Sequence, residues 1–329
     1  MRSRKEIKMK KLKIVFVVVF VVVILCASQI MAFAADSKYK VAMALPGLIT
    51  DEAFNQYTYE GALRACKEFG YEFAYREEVR QDEQIEILRQ FAQQGYNIII
   101  GQGGQFGEAL QIVAKEFPEL NFVFSVATDT GGLPNLTAAT ISYSQAGYLA
   151  GVQACSVTKT NKVAMIIGEW YDPHKQMYDS YIKGAQTCGK EVEVKAVTTG
   201  SWSDVNKARE ASLSLIASGY DVLMPCLDAA YVGVLTAAQD SKNVLVVGTV
   251  SDMVKVAPDV VVSSIVYNWE ELGYQEAAGK LLDGGSHVLG MAENGLKVVK
   301  NADLISKEAS DNLDKAVEDL KAGKVDIAP

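Results

Sequence analysis

The chain has 329 residues, 49% of them hydrophobic, with 26 Gly and 7 Pro. That composition excludes a disordered, collagen-like or coiled-coil protein, and the length suits two ordinary lobes better than one core. The net charge is −8, but positions 1–34 hold seven basic residues and one acid, so the rest sets 25 basic residues against 39 acids, a net −14. A body that acidic is a poor partner for nucleic acid or anionic lipid.

The first 34 residues read as an export signal. Basic residues from Arg2 to Lys13 lead into the apolar run Ile14–Leu25, followed by small residues that end at Ala32-Phe33-Ala34. The run is short for a membrane span of about 30 Å and suits a cleaved signal peptide, with cleavage after Ala34. The mature chain is therefore expected outside the cytoplasmic membrane, in the periplasm or on the extracellular face. A lipid-anchored form would use Cys26, although bulky Leu25 precedes it where a small residue is usual.

Beyond the signal the chain is written twice. Lys40-Val41-Ala42-Met43 recurs as Lys162-Val163-Ala164-Met165, and Gln94-Gly95-Tyr96-Asn97-Ile98-Ile99 is echoed by Ser218-Gly219-Tyr220-Asp221-Val222-Leu223. Offsets of 122 and 124 in the same order mark one architectural unit used twice. Each unit reads as strands alternating with helices. Apolar runs at Val41–Leu45, Asn97–Ile100 and Phe122–Val126 predict parallel strands covered on both faces. So do Val163–Ile167, Val222–Met224 and Val244–Val247 in the second unit. Phe54, Tyr57, Gly61, Ala65 and Phe69 form a helical stripe, as do Ile85, Leu88 and Phe91, and later Ala208, Ala211, Leu215 and Ile216. Gly70, Gly95 and Gly219 close helices. The pattern predicts an α/β protein with two doubly wound sheets. The expected lobes are 35–145 with about 264–300, and 146–263 with part of the tail.

Ligands of such sheets bind beyond the carboxyl ends of the strands, so the residues after each strand are the candidate site. Phe54, Phe106, Trp170, Tyr171 and Trp202 lie there among Gly, Ser, Asp and Asn. Trp202, between Gly200-Ser201 and Ser203-Asp204, reads as a stacking wall. Asp228 follows a strand; it reads either as the cap of the next helix or as an acceptor for ligand donors. Gly101–Gly107 resembles a dinucleotide loop, but Phe106 stands where close packing needs Gly; Gly101 and Gly103 instead let backbone approach a ligand. No phosphate loop, nucleophile elbow or zinc motif is present, and His174 and His287 have no catalytic motif around them. The chain reads as no enzyme, with no catalytic residue, metal or cofactor. Cys66, Cys155, Cys188 and Cys226 lack metal-ligand spacing and read as small buried thiols; the compartment allows one disulfide, whose pairing the sequence does not specify.

The mature chain resembles the basic-membrane-protein family of substrate-binding proteins, the purine and purine-nucleoside receptors of bacterial ABC importers. The likeness begins at Thr50-Asp51-Glu52-Ala53-Phe54-Asn55-Gln56 and continues through Gly101–Phe106 and Val113–Pro118. Gly147-Tyr148-Leu149-Ala150-Gly151 and Thr158–Lys162 follow in family order. Gly200–Asp204, Ser251-Asp252-Met253 and Ser263–Trp269 are similar to the branch associated with free nucleobases. The resemblance implies a type I periplasmic-binding-protein fold that closes on a small molecule by hinge bending. It implies a monomer that serves a separate membrane permease. By that likeness Phe54 and Trp202 sandwich a flat ring, Asn55 bonds its edge and Asp228 reads donors. Gln102, Gly103, Trp170 and Asp252 complete the expected ligand-binding set. Where the nucleoside branch carries an acid to hold ribose, this chain has Val250, which points to a base or a related heteroaromatic compound. The alternatives are a nucleoside receptor and an extracellular module that presents its ligand to a signalling receptor.

Overall fold

The computed structural model describes residues 39–51 and 54–327; the expected signal segment 1–34 lies outside the described residues. Two six-stranded sheets carry the chain. The first lobe runs β1 (Lys40–Ala44), α1 (Phe54–Phe69), β2 (Glu72–Arg76), α2 (Gln84–Gln93), β3 (Ile98–Gln102), α3 (Gly107–Glu116), β4 (Asn121–Ser125) and β5 (Leu136–Ile141). The second runs α4 (Tyr143–Val157), β6 (Lys162–Ile167), α5 (Asp172–Ala185), β7 (Glu193–Thr198), α6 (Val205–Ala217), β8 (Val222–Cys226), α7 (Tyr231–Gln239), β9 (Leu245–Val250) and β10 (Val261–Tyr267). The chain then returns through α8 (Trp269–Ala277) and β11 (Ser286–Leu289) before β12 (Leu296–Lys300) and α9 (Lys307–Lys321).

The strand orders are β11-β5-β4-β3-β1-β2 and β12-β10-β9-β8-β6-β7, the same arrangement twice. Every pairing is parallel except β10 with β12, which is antiparallel. The central strands are apolar throughout and buried, as at Ile98–Ile100 and Val163–Ile167, because helices cover both faces. The order reverses between β1 and β3, and again between β6 and β8; carboxyl ends at such a reversal are where doubly wound sheets generally take their ligands.

Three details differ from the sequence reading. The returning segment is narrower than 264–300. β10 stays in the second sheet through Tyr267 because it pairs with β9, and β12 pairs with β10, so Trp269–Leu289 alone goes back. The first crossover comes at Ser142, since α4 already packs on the second lobe. On α1 the buried face is Thr58, Gly61, Ala62, Ala65 and Cys66, whereas Tyr57 and Phe69 are exposed. Small side chains win that face because α8 crosses at backbone distance: a Cβ on Gly61 would lie 1.9 Å from the Glu270 carbonyl oxygen.

The α4–α5 crossing is equally close. A Cβ on Gly151 would stand 2.2 Å from the Tyr181 carbonyl oxygen. A disulfide joins the same two segments: Cys155 and Cys188 are bonded, with Cα atoms 6.0 Å apart, and are not free thiols as read from sequence. Cys66 and Cys226 are free and buried. The bridge closes a sequence separation of 33, so loop-closure entropy assigns it about 3–4 kcal/mol. Cys188→Ser should lower denaturant stability by that order with the far-ultraviolet spectrum unchanged; an unaltered midpoint would show that the helix crossing alone holds the two segments.

Candidate functional site

Three crossovers join the lobes: Ser142 before α4, Asn268 before α8, and the turn Gly290–Gly295 between β11 and β12. Hydrogen bonds tie them together. Asn268 N donates to the Gly295 carbonyl at 2.8 Å and Asn268 Nδ2 to the Asn294 carbonyl at 2.8 Å. Met291 N donates to Gln145 Oε1 at 2.8 Å. Each of the first two crossovers delivers aromatic side chains: Tyr143 on one, Tyr267 and Trp269 on the other.

Those rings connect the expected walls. Phe54 meets Trp269 edge-on with centroids 5.0 Å apart, Trp269 meets Tyr267 at 5.4 Å, and Tyr267 meets Tyr143 at 5.2 Å. Tyr143 meets His174 edge-on at 5.3 Å, and His174 lies tilted on Trp202 at 5.0 Å. Tyr171 stacks parallel to Trp202 at 6.3 Å. Edge-to-face contacts of this kind suit the ring quadrupoles. Phe54 and Trp202 are thus joined, one from each lobe, by a continuous run of rings through the hinge. Trp202 lies flat on Gly168, where a Cβ would stand 2.5 Å from its Cδ2. One face of the ring is therefore packed in the unliganded protein.

The polar members are arranged by local geometry. The Asp51 carboxylate accepts from the backbone N–H groups of Asn55 at 3.1 Å and Gln56 at 3.0 Å. It also accepts from Asn55 Nδ2 at 2.8 Å, which turns the Asn55 side chain and leaves its Oδ1 enclosed with no partner. Gln102 is fully buried and donates from Nε2 to the Phe54 carbonyl at 3.0 Å, which holds the start of α1, while its Oε1 is enclosed with no partner. Gly103, at φ 95°, donates its N–H to the Ser125 carbonyl at 3.2 Å.

Asp228 does not cap α7 with its side chain. Its carboxylate lies within electrostatic range of Tyr143 and Cys226, and desolvation holds its carboxyl above the ordinary range. Asp252 pairs with Lys255 at 3.2 Å through Oδ2, while its Oδ1 is enclosed without a partner. Trp170 stands apart: it packs edge-on against Tyr178 at 5.7 Å on the outer side of α5, and Tyr171 takes the place beside Trp202.

Tyr143, His174, Tyr267 and Trp269 escaped the sequence-based set. His174 had one signal, its position three residues after Tyr171 in a strand-end segment. Tyr143 had none, because β5 was not recognised as a strand.

Two buried titratable groups give the protein opposed pH responses. Burial among rings pushes His174 down to about 4, so the unfolded chain binds its proton more readily and stability is lost as pH falls from about 6.5 toward 4. Glu276 of α8 is fully enclosed and burial pushes it up to about 8; its contribution is full below about 4.5 and is lost as pH rises toward 8. Melting temperature against pH should therefore lose its acid slope in His174→Phe and its alkaline slope in Glu276→Gln. Parallel profiles for wild type and both variants would show that neither group carries the response.

Comparison with known proteins gives the family and the fold. The chain is 30% identical over 308 residues to the ABC transporter nucleoside-binding protein BmpA of Lactococcus lactis subsp. cremoris, covering 85% of this chain and 86% of that protein. It is 28% identical over 253 residues to the transcriptional activator protein Med of Bacillus subtilis, covering 75% and 78% of the two chains. It is also 28% identical over 198 residues to a purine-binding protein of Brucella abortus, covering 60% and 55%. The crystal structure of a transcriptional activator of the comK gene from Bacillus halodurans superposes with a TM-score of 0.74 at 22% identity, over 86% of this chain and 97% of that one. A solute-binding protein of an ABC transporter system from Conexibacter woesei gives a TM-score of 0.68 at 24% identity, over 88% and 98%. The family model described as ABC transporter substrate-binding protein, PnrA-like, matches residues 38–327, and the chain belongs to that family of substrate-binding proteins, which are not enzymes.

Proposed function

We propose that this protein is the exported receptor of an ABC importer, binding a purine base or a related heteroaromatic compound between its lobes and delivering it to a membrane permease. One observation carries the reading: Phe54 and Trp202, from opposite lobes, end a single run of rings, and Asn55, next to Phe54, has an enclosed acceptor oxygen without a partner. Asn55 Oδ1 and Asp252 Oδ1 are enclosed acceptors, and the Asp228 carboxyl, exposed but partly desolvated, is a further polar group at a strand end. Acceptors without donors call for a ligand with N–H groups. A flat ring with amino or imino edges meets both demands. The names of the Lactococcus and Brucella relatives support a ligand of this class.

The position where ribose would want an acid is Val250, which accepts no hydrogen bond. Calorimetric titration with adenine and adenosine, and with hypoxanthine and inosine, tests this. The base should bind at least as tightly as its nucleoside. A nucleoside tighter than its base by more than tenfold, about 1.4 kcal/mol, would overturn the reading.

A second reading, a sensing module that reports its ligand to a signalling receptor, is favoured by the likeness to two transcriptional activators. Uptake of radiolabelled adenine by a strain lacking the gene separates them: lost uptake supports import, and intact uptake with altered gene expression supports sensing.

Trp202→Ala should weaken binding about 5- to 150-fold, since ring stacking on a base is worth roughly 1–3 kcal/mol. Because the ring also packs on Gly168, Tyr171 and His174, the unliganded protein should lose about 1–2 kcal/mol, less than the roughly 3–5 of a core tryptophan. Melts and titrations of the same variant read both quantities. Normal affinity with a large stability loss would make Trp202 a core residue.

A further inference from the structure

On one side each sheet ends at the same place in the repeat, in β2 in the first lobe and in β7 in the second. The two edge strands are matched residue for residue. Lys40 opposes Glu72 where β1 pairs with β2, and Lys162 opposes Glu193 where β6 pairs with β7. Each glutamate forms an ion pair with its lysine, at 2.8 Å and 3.3 Å, and accepts from a tyrosine hydroxyl, that of Tyr96 or Tyr220. From there the strands diverge. β2 continues as Phe73-Ala74-Tyr75-Arg76, and β7 as Val194-Lys195-Ala196-Val197. A lysine within an edge strand is a common guard against pairing with another chain. β7 carries that guard; β2 has Ala74 in its place.

The free edge of β2 complements itself. Leu45 N donates to the Arg76 carbonyl at 2.8 Å, so the backbone of Arg76 faces β1, and by alternation so do those of Ala74 and Glu72. The N–H and C=O groups of Phe73 and Tyr75 therefore face outward. A second copy laid antiparallel, about a two-fold axis at Ala74, sets Phe73 against the copy's Tyr75 as a hydrogen-bonded pair on either side of the axis. Ala74 then meets its own copy, and Glu72 meets the copy's Arg76, whose guanidinium has no ion-pair partner among the described residues. The rings match as well. Phe73 and Tyr75 stack with centroids 6.4 Å apart, Tyr59 stands edge-on to Tyr75 at 4.8 Å, and Tyr75 is 40% exposed. Aromatic pairs directly opposite across two strands stabilise a sheet. β7 in the same register sets Lys195 against its own copy, a like-charge pair, and offers no ring.

We propose that β2 is a homodimerisation edge: two copies of this chain join antiparallel through Glu72–Arg76, about a two-fold axis at Ala74, into one sheet continuous through both first lobes. The partner is a second copy because backbone direction, charge and ring placement all match at one and the same register. This dimer departs from the monomer that the family resemblance implies. β2 lies at the opposite end of the first sheet from β5 and β11, whose ends lead into the crossovers at Ser142 and Gly290, so the joint leaves those crossovers clear.

Sedimentation equilibrium across the micromolar range tests the proposal. The wild type should show a monomer–dimer equilibrium. Ala74→Lys, which copies the guard of β7, should leave only monomer, with the far-ultraviolet spectrum unchanged. Monomer at every wild-type concentration would overturn the proposal, and so would a dimer that survives Ala74→Lys. Charge gives a second reading: Arg76→Glu should lose the dimer, and adding Glu72→Arg should bring it back. A double variant no more dimeric than Arg76→Glu alone would refute the register. A third arm traps even a weak dimer. Opposed residues of a non-hydrogen-bonded pair have Cα atoms about 4.5 Å apart, within reach of a disulfide. Ala74→Cys should therefore oxidise to a covalent dimer, while Lys195→Cys and the wild type, whose free Cys66 and Cys226 are buried, stay monomeric. No covalent dimer in Ala74→Cys, or an equal yield in Lys195→Cys, would end the proposal.

Discussion

The structure depends on how its hinge is filled. Three crossovers pass between two lobes that otherwise have separate sheets, and hydrogen bonds from Asn268 and Gln145 bind these crossovers to one another. The space around them is occupied by Tyr143, Tyr267 and Trp269, which touch edge to face. These rings are large, apolar and directional, so they fix the lobes' relation more tightly than aliphatic side chains of equal area would. They also reach outward to Phe54 on one side and His174 on the other. The hinge rings, Phe54 and Trp202 form one connected run, so a change that moves the lobes also moves the two proposed walls.

The polar groups near the cleft follow a different logic. A buried acceptor without a donor is costly, and a stable core normally avoids it. Here Asn55 Oδ1 and Asp252 Oδ1 are left unpaired, each on a side chain whose other atom is firmly held, by Asp51 and by Lys255. In the proposed binding role, holding one end and leaving the other free would pre-orient the acceptor and lower the entropy lost on binding. Gln102 performs a quieter task. Its Nε2 secures the Phe54 carbonyl, and its Oε1, like those two oxygens, is left without a partner.

Repetition in the chain is visible at every level. The two sheets share one strand order, and a valine with positive φ, Val126 or Val250, recurs at matching strand ends. The exceptions are equally informative. The pair of Gly-lined helix crossings, α1 with α8 and α4 with α5, lies one in each lobe, but only the second carries a disulfide. Antiparallel β12 has no counterpart in the first lobe, because the last crossover delivers the chain to the second sheet in the opposite direction.

By itself the sequence determined the architecture: buried strands such as Ile98–Ile100 and Val163–Ile167 are continuous apolar runs, and Gly70, Gly95 and Gly219 end helices with φ near 69°, 84° and 89°. It also pointed to the strand ends as the candidate site, since these are read from the same runs, and named Phe54, Asn55, Trp202 and Asp228 there as candidates. Edge strands β2 and β7 were illegible because they are half exposed and carry Glu, Lys and Arg in place of an apolar run. Only the tertiary structure decided which strand-end residues meet. Trp170 and Tyr171 are neighbours in sequence, yet one packs on Tyr178 and the other on Trp202, because successive residues leaving a strand point to opposite sides. Tyr143, Tyr267 and Trp269 are far apart along the chain, and they converge because two separate crossovers pass through one hinge. Period and composition report what is local along the chain; a hinge is made by segments more than a hundred residues apart, and no local pattern records that they touch.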